Sequence, residues 1–179
     1  MSDAPSRIAE IAPADLSPAQ AAVLDAVQRG RGFLPMPYRV WLHSAPLADR
    51  MERLGTWLNK SSSMSGREFE IAIVVVAHRL ASPYVLHAHL SALTRTGHPQ
   101  DVVDAMRDGR VPTFATDRER AIYEIAVSST DAEPTPDALF ERAVAALGRD
   151  GLAELIALLG YYTAVAIAMK MHRVPVSAG

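Results

Sequence analysis

Apolar residues recur at helical spacing along most of the chain, whereas the alternating pattern of a half-buried strand is rare. The first clear helix begins after Ser17, carries Val23, Leu24 and Val27 on one face, and ends near Gly30. The same reasoning predicts further helices over residues 38–43, 46–58, 69–80, 83–96, 99–106, 121–128, 137–147 and 150–171. The pattern therefore predicts an all-α fold.

One apolar segment is ambiguous by propensity alone. Residues 71–76 read Ile-Ala-Ile-Val-Val-Val, and such β-branched runs are common in buried strands. However, Ser65 and Glu68 before it have the spacing of a helix capping box, as do Thr116 and Glu119 before a later helix. We therefore predict a helix that is apolar on all sides and lies at the centre of the bundle.

Composition and charge narrow the class of protein. The 179 residues are 49% hydrophobic, which suits one globular domain over residues 1–179, with residues 1–14 expected to be extended or flexible. A net charge of −2 and scattered arginines predict no nucleic-acid partner. No signal peptide is recognisable, and the longest uncharged run, residues 155–169, is shorter than the ~20 residues that span a membrane. We expect a cytoplasmic protein without a membrane partner.

The helix after Ser82 carries the candidate chemistry. At ~100° per residue, His89 falls on the same apolar face as Val85, whereas His87 points elsewhere, so the two histidines cannot hold one ion. On the preceding helix, Glu70 lies on an apolar face and needs a partner if it is buried. An inward imidazole on the next helix is a suitable one, and the pair could perform general acid–base catalysis.

The order of these features resembles the carboxymuconolactone decarboxylase / alkylhydroperoxidase D-like (AhpD-like) superfamily. The resemblance rests on the capping box with Arg-Glu-x-Glu, the apolar run, "SPYVLHAH" and Gly97. It extends to "FLPMPYRVWLHSAPLADRMERLGTWL" before them and to "LIALLGYYTAVAIAM" in the last helix. It covers the chain from about residue 30, and it implies an AhpD-like helical bundle that assembles as a homotrimer or homohexamer. Two helices that are apolar all round also favour an oligomer.

The chain departs from both branches of that superfamily. The glutamate, Cys-x-x-Cys pair and histidine of the peroxidase branch correspond to Glu70, Ser82, Val85 and His89, and the sequence contains no cysteine. Thiol-dependent peroxide reduction is therefore unavailable to this chain. The decarboxylase-like branch reads Tyr-Glu-Trp with a histidine three positions on; Tyr84 and His89 match, but Val85 replaces the glutamate. This replacement argues against the reaction for which the superfamily is named.

The resulting hypothesis is a cofactor-free lyase or isomerase that acts on a small unsaturated or cyclic carboxylic acid, in the catabolism of aromatic compounds. His89 would transfer protons, Glu70 would orient it, and Tyr84 would line the site. The predicted substrate-binding residues, expected to hold the carboxylate, are Arg67, Arg79 and Ser82.

Two other interpretations stay open. The first is a non-catalytic oligomer that binds a small ligand or a partner, in which Glu70 and His89 form a buried hydrogen-bonded lock. The second is a metalloenzyme whose ligands include His78, His87 and His89, although the favoured hypothesis has no metal. For Ser82, the plainest interpretation is a helix N-cap, a role worth ~1 kcal/mol.

Overall fold

The computed structural model describes residues 5–178, which form eight α-helices and no strand, so the all-α prediction is confirmed. Short 3₁₀ turns at Pro13–Asp15 and Val176–Ala178 lie near the two ends. The predicted extended segment over residues 1–14 falls partly outside the described residues. The helices are α1 (Pro18–Arg31), α2 (Met36–Trp41), α3 (Ala45–Lys60), α4 (Gly66–Arg79), α5 (Pro83–Arg95), α6 (Gln100–Arg107), α7 (Asp117–Ser128) and α8 (Asp137–Met171).

Local capping explains where α1 and α4 begin. Ser17 and Gln20 form a capping box at the start of α1, and Ser65 and Glu68 form the predicted one at the start of α4. In α4, the Ser65 amide donates to Glu68 Oε2 over 2.8 Å. Helix α1 ends at Arg31, one residue beyond the predicted Gly30, because Gly32, and not Gly30, adopts the left-handed conformation that closes the helix.

Helix α4 is the centre of the bundle. Residues 71–77 and Phe69 are all buried, and α4 packs against α5, α7 and α8. The β-branched run over residues 71–76 is therefore helical, as predicted, because its side chains are enclosed by other helices on all sides. Glu70, in the same segment, is partly buried.

Helix α8 contains a kink at Gly148, whose φ of 73° and ψ of 167° are not helical. The break at Gly148 separates two helical segments, as predicted on either side of this position, and α8 denotes both of them. By length and composition α8 could cross a membrane, but 44% of its most apolar window is buried within this chain. Ile156, Ile167 and Met171 remain 59%, 46% and 64% exposed.

Two capping predictions need correction. Ser82 occupies the N-cap position of α5, but its side chain makes no capping hydrogen bond and is 1% exposed. The cause is local: Ala81 has a positive φ of 48°, and the Ser82 amide donates back to Ala77 O over 2.9 Å. At α7, Thr116 Oγ1 accepts from the Glu119 amide over 3.1 Å, but the Glu119 carboxylate binds Arg67 instead of completing the box.

Candidate functional site

The structure brings Glu70 of α4 and His89 of α5 into direct contact. Glu70 Oε2 and His89 Nδ1 are 2.7 Å apart, a short hydrogen bond. The two side chains retain 13% and 20% of their accessible surface, so the pair is largely enclosed but reaches solvent. The juxtaposition agrees with the expected one, while the roles of the two residues in a reaction stay predictions.

The contact fixes the protonation pattern of the imidazole. Because an ionised carboxylate only accepts hydrogen bonds, we assign the proton to Nδ1, which donates to Glu70 Oε2. Nε2 is then the basic nitrogen of His89. Among the described residues, none forms a hydrogen bond with Nε2. An oriented imidazole with one available nitrogen is the arrangement that general acid–base catalysis requires.

Tyr162 of α8 completes the surroundings of the imidazole. Its ring meets the His89 ring edge to face, with centroids 5.0 Å apart, and it also contacts Phe69 and Tyr161. Burial raises the pKa of the Tyr162 phenol, and the neighbouring Tyr161 and the Glu70 carboxylate raise it further. Tyr162 is therefore a neutral phenol beside the pair. The sequence analysis does not identify this role, because Tyr162 belongs to a helix far from Glu70 and His89 along the chain.

Tyr84, predicted to line the site, is not in contact with the pair. It precedes His89 by five residues, which places it roughly 140° around α5. Burial raises the pKa of Tyr84, and the charge of Arg39 in α2 opposes that rise. The tyrosine whose ring contacts His89 is Tyr162, and the role of Tyr84 stays a prediction.

Arg67 is committed to structural contacts and does not face the pair. Its Nε donates to Glu119 Oε1 over 3.0 Å, Nη1 donates to Gly97 O over 2.7 Å, and Nη2 lies 3.1 Å from His98 Nδ1. These bonds join the start of α4 to the end of α5 and the start of α7. All three nitrogen atoms of the Arg67 guanidinium group are therefore engaged within the protein. In this arrangement Arg67 presents no free donor to a substrate beside Glu70 and His89.

Arg79 and Ser82 are also remote from the pair. Arg79 follows Glu70 by nine residues, about 13 Å along α4, and it binds Thr130 Oγ1 over 3.0 Å and pairs with Asp131. Ser82 precedes His89 by two helical turns, and its buried hydroxyl has no hydrogen-bond partner. Neither residue is positioned to share a small substrate with His89.

A second buried polar cluster, which the sequence did not reveal, lies beyond Tyr162. Tyr38 Oη donates to Glu52 Oε2 over 2.5 Å and lies 3.4 Å from Tyr161 Oη. Arg31 Nε donates to the same carboxylate oxygen over 3.4 Å. Burial raises the pKa of Tyr38, so its phenol is neutral and donates. The cluster ties α1, α2 and α3 to α8, and through Tyr161 it supports Tyr162 beside His89.

The histidines proposed as metal ligands are dispersed. His78 lies against Gly109, beyond α6, while His87 is exposed on α5 and only His89 meets a carboxylate. Within residues 5–178, no three His, Asp or Glu side chains form a group suited to a metal ion. The metalloenzyme interpretation thus has no ligand set within the described part of a single protomer.

Comparison with solved structures identifies the architecture. An uncharacterized peroxidase-related protein from Silicibacter sp. TM1040 superposes with a TM-score of 0.76 at 18% identity, covering 94% of this chain and 90% of the other. A variant of the debrominase Bmp8 in complex with 2,3,4-tribromopyrrole gives 0.74 at 14% identity, over 94% and 90% of the two chains. A protein of unknown function from Agrobacterium tumefaciens, related to the antioxidant-defence protein AhpD, gives 0.67 at 16% identity over 76% and 94%.

The sequence itself is more divergent than the fold. No protein-family model matches it, and the search of curated proteins finds no significant match. The similarity to solved structures nevertheless spans nearly the whole chain for two of the three proteins. This chain has the AhpD-like fold that its sequence resemblance implied.

Proposed function

We propose that this protein is a cofactor-free acid–base enzyme, a lyase or isomerase that acts on a small unsaturated or cyclic carboxylic acid. The observation that carries the proposal is the 2.7 Å bond between Glu70 and His89 Nδ1, which leaves Nε2 as the basic nitrogen. The sequence has no cysteine, so no thiol can take part in the reaction. The Glu70–His89 pair can transfer protons without one.

The proposed reaction begins when His89 Nε2 removes a proton from a carbon that the substrate's carbonyl or conjugated system acidifies. The imidazolium that forms keeps its Nδ1–H bond to Glu70, and the negative carboxylate stabilises that charge. The same proton then returns to a different carbon in an isomerase, or to a leaving group in a lyase. Tyr162 holds the imidazole plane in place by its edge-to-face contact.

The size of the substrate is suggested by the surroundings of the pair and by one structural neighbour. The Glu70 and His89 side chains are only 13% and 20% exposed, so a large substrate would have little room beside the pair. The neighbouring debrominase was solved with 2,3,4-tribromopyrrole, a single small ring. A single-ring or short unsaturated acid is therefore the substrate class that we propose for this chain.

Exchange of carbon-bound protons with solvent tests the proposal without knowledge of the complete reaction. The full-length protein is incubated in D₂O with a panel of small cyclic and unsaturated acids, and loss of ¹H signals is followed by NMR. We expect at least one acid to exchange, and His89→Ala to slow that exchange by roughly 10²–10⁴-fold. Glu70→Gln should slow it less, because the imidazole remains.

His87→Ala is the matched control, because His87 is exposed on the same helix two residues away. It should leave the exchange rate unchanged. Equal rates in the wild type and in the His89→Ala variant would refute the proposal. So would the absence of exchange across the panel.

The enclosure of the pair favours one other function, a non-catalytic oligomer in which Glu70 and His89 lock α4 to α5. The edge-to-face contact with Tyr162 and the short hydrogen bond suit such a lock. The lock predicts that His89→Ala lowers the thermal midpoint of unfolding while no acid in the panel exchanges protons with the wild type. The two measurements together separate the two functions.

We also propose that the protein assembles as a homotrimer or homohexamer in the cytoplasm. The support is the apolar surface of α8, where Ile156, Ile167 and Met171 are 46–64% exposed in the single chain. Helical spacing places these three residues within about 60° of one another around α8, and an exposed apolar face of this kind marks a protein–protein contact more often than single exposed residues do. Sedimentation equilibrium of the full chain measures the assembly directly.

A further inference from the structure

A cleft of about 250 Å³ lies between the C-terminal half of α4, the segment after α6, and α7. None of Glu70, His89 and Tyr162 contributes to it. Its lining residues are Val74, Val75, His78, Arg79, Met106, Gly109, Arg110, Val111, Tyr123 and Val127. We refer to it as the α4–α7 cleft.

The floor of the α4–α7 cleft is apolar. Val74, Val75 and Met106 are buried, and Val127 is partly buried beside them. An apolar cavity of about 150 Å³ is enough to hold benzene in a protein core. The volume of this cleft therefore suits one six-membered ring or a branched aliphatic group of similar size, together with a small polar substituent.

The polar lining residues of the cleft are cationic or neutral. The polar side chains in the lining are those of His78, Arg79, Arg110 and Tyr123, of which Tyr123 belongs to α7. No lining residue is acidic. Burial raises the pKa of Tyr123, and the nearby Arg79 charge opposes this, so the phenol is a neutral donor close to Arg79. A ligand with a negatively charged group would therefore meet cationic and neutral hydrogen-bond donors in this cleft.

Each arginine has donors left for a ligand. Arg79 uses Nε and Nη2 on Thr130 and Asp131, and Arg110 uses Nε and Nη2 on Asp108. In the described part of the chain, neither Nη1 group has a hydrogen-bond partner. Asp131 and Asp108 thus hold the two guanidinium groups at the cleft, and the Nη1 donors of both arginines remain available to a ligand.

Gly109 shapes the cleft through its backbone. Its φ is +67°, and a Cβ atom at this position would lie 2.5 Å from Cε1 and 2.7 Å from Nε2 of His78. Any larger residue would force the imidazole to move and would also be strained in the left-handed conformation. Glycine thus lets the chain after α6 close over His78 and hold the imidazole against the cleft.

A second cleft provides a comparison. It lies between α7 and α8 and has a volume of about 380 Å³, and its charged lining residues are Asp117, Arg120, Glu124 and Arg142. Two acids and two bases balance there, and Arg142 Nη2 donates to Glu124 over 2.7 Å. In the α4–α7 cleft no lining residue is acidic, and the aspartates that pair with Arg79 and Arg110 lie outside the lining. The difference between the two clefts is therefore in the groups that a ligand would meet, which include no carboxylate in the α4–α7 cleft.

We propose that the α4–α7 cleft is a second ligand site, separate from the His89 pair, which binds a small monocarboxylate with an aromatic ring or branched aliphatic body. The apolar part of the ligand packs on Val74, Val75 and Met106. The carboxylate accepts hydrogen bonds from the free Nη1 groups of Arg79 and Arg110. Because this site shares no lining residue with the pair, the inference is independent of the proposed function.

Benzoate is the probe for this site, and benzamide is its uncharged counterpart of the same shape. Each compound is titrated into ¹⁵N-labelled full-length protein at constant ionic strength, and backbone amide shifts are followed by NMR. We expect saturable shifts at Gly109, Val111 and Tyr123 with benzoate, and binding of benzamide at least about tenfold weaker. Loss of a charge-assisted hydrogen bond has roughly this effect.

Arg110→Gln is the informative variant, because Arg110 is exposed and, among the described residues, its side chain bonds only to Asp108, two residues away. It should weaken benzoate binding about tenfold and leave the rest of the spectrum in place. Tyr123→Phe should weaken binding by a smaller factor. Arg120→Gln, in the comparison cleft, is the matched control and should leave the dissociation constant unchanged.

Three results would overturn the proposal. One is equal affinity for benzoate and benzamide, which would mean that charge has no part in recognition. Another is an Arg110→Gln variant that binds as the wild type does. The third is a set of shifts confined to residues around Glu70 and His89, or no saturable shift at all, which would place benzoate in the other site or in none.

Discussion

Replacement of Gly55 by alanine tests the close packing that supports Tyr162 and His89. Gly55 is on the buried face of α3, and a Cβ atom there would lie 2.9 Å from both Tyr161 Cζ and Arg31 Nη2, and closer still to Tyr161 Oη. Tyr161 has little freedom to move away. It is 7% exposed, and its ring lies between Trp41 and Tyr162, with centroid distances of 5.7 Å and 5.4 Å.

Three contributions decide the sign of the effect. Alanine is about 1 kcal/mol more favourable than glycine in a helix interior. Against this, forcing extra atoms into a packed core costs about 1–3 kcal/mol. Displacing the Tyr161 hydroxyl from Tyr38, 3.4 Å away, costs about 1 kcal/mol more. We therefore expect Gly55→Ala to lower the free energy of unfolding by about 1–3 kcal/mol, since the steric and hydrogen-bond terms exceed the propensity gain.

Gly160→Ala is the matched control, because it makes the same chemical change in a helix without the steric one. Gly160 is exposed on α8, and a Cβ there would meet no other atom within 4 Å. Because the exposed face of α8 is proposed above as an assembly surface, both variants are compared at a concentration at which the wild type is monomeric. Only the propensity term then applies to Gly160→Ala, so this variant should gain about 0.5–1 kcal/mol.

Urea unfolding followed by far-UV circular dichroism measures both variants against the wild type. A change of 1 kcal/mol corresponds to about 2–4 °C in the thermal midpoint for a chain of this size, so a thermal scan is an independent check. If Gly55→Ala is as stabilising as Gly160→Ala, the close approach of α3 to Tyr161 plays no part in stability, and the reasoning above is refuted.

Two further predictions concern buried polar groups. Ser82→Ala should leave the free energy of unfolding unchanged or raise it by up to about 1 kcal/mol, because the buried hydroxyl has no partner; a loss of about 1 kcal/mol on denaturant unfolding would instead support the N-cap role. Burial lowers the pKa of His98 below its ordinary 6.5, against a backbone bond to Arg67 and the Glu119 charge, which raise it. The unfolded state therefore takes up the proton first, and stability should fall as pH decreases through about 6.5. His98→Asn, which keeps an acceptor for Arg67 but does not titrate, should show a shallower fall between about pH 7.5 and about pH 5.5, and an unchanged slope would contradict this.

The helices could be predicted because their signals are local. The capping residues Ser17 and Ser65 lie within four residues of the groups they cap, and the glycine at position 148 interrupts the helical pattern where the structure has its break. The Ser82-Pro83 pair predicts the position at which α5 begins but not the missing side-chain cap, because a dipeptide does not specify the positive φ of the preceding Ala81.

The site could be predicted only in part, for the same reason. Glu70 and His89 belong to consecutive helices, so the rule that a buried acid needs a partner was sufficient to pair them. Tyr162 reaches the pair from α8, which is distant in sequence, and no spacing rule connects it with His89. Arg67 was assigned to substrate because its partners, Glu119 and His98, come from segments that the sequence does not place beside it.

The polar residues of α4 suggest a common reason for both candidate sites. A helix enclosed by α5, α7 and α8 has few positions where a polar side chain avoids a desolvation cost of several kcal/mol. Such positions exist only where the enclosing helices leave a gap or supply a partner. Glu70 meets His89 at one such position, whereas His78 and Arg79 line the α4–α7 cleft at another. The polar residues of α4 that line the two candidate sites therefore lie where the bundle supplies a partner or opens to solvent, and these are the positions at which we propose that small molecules bind.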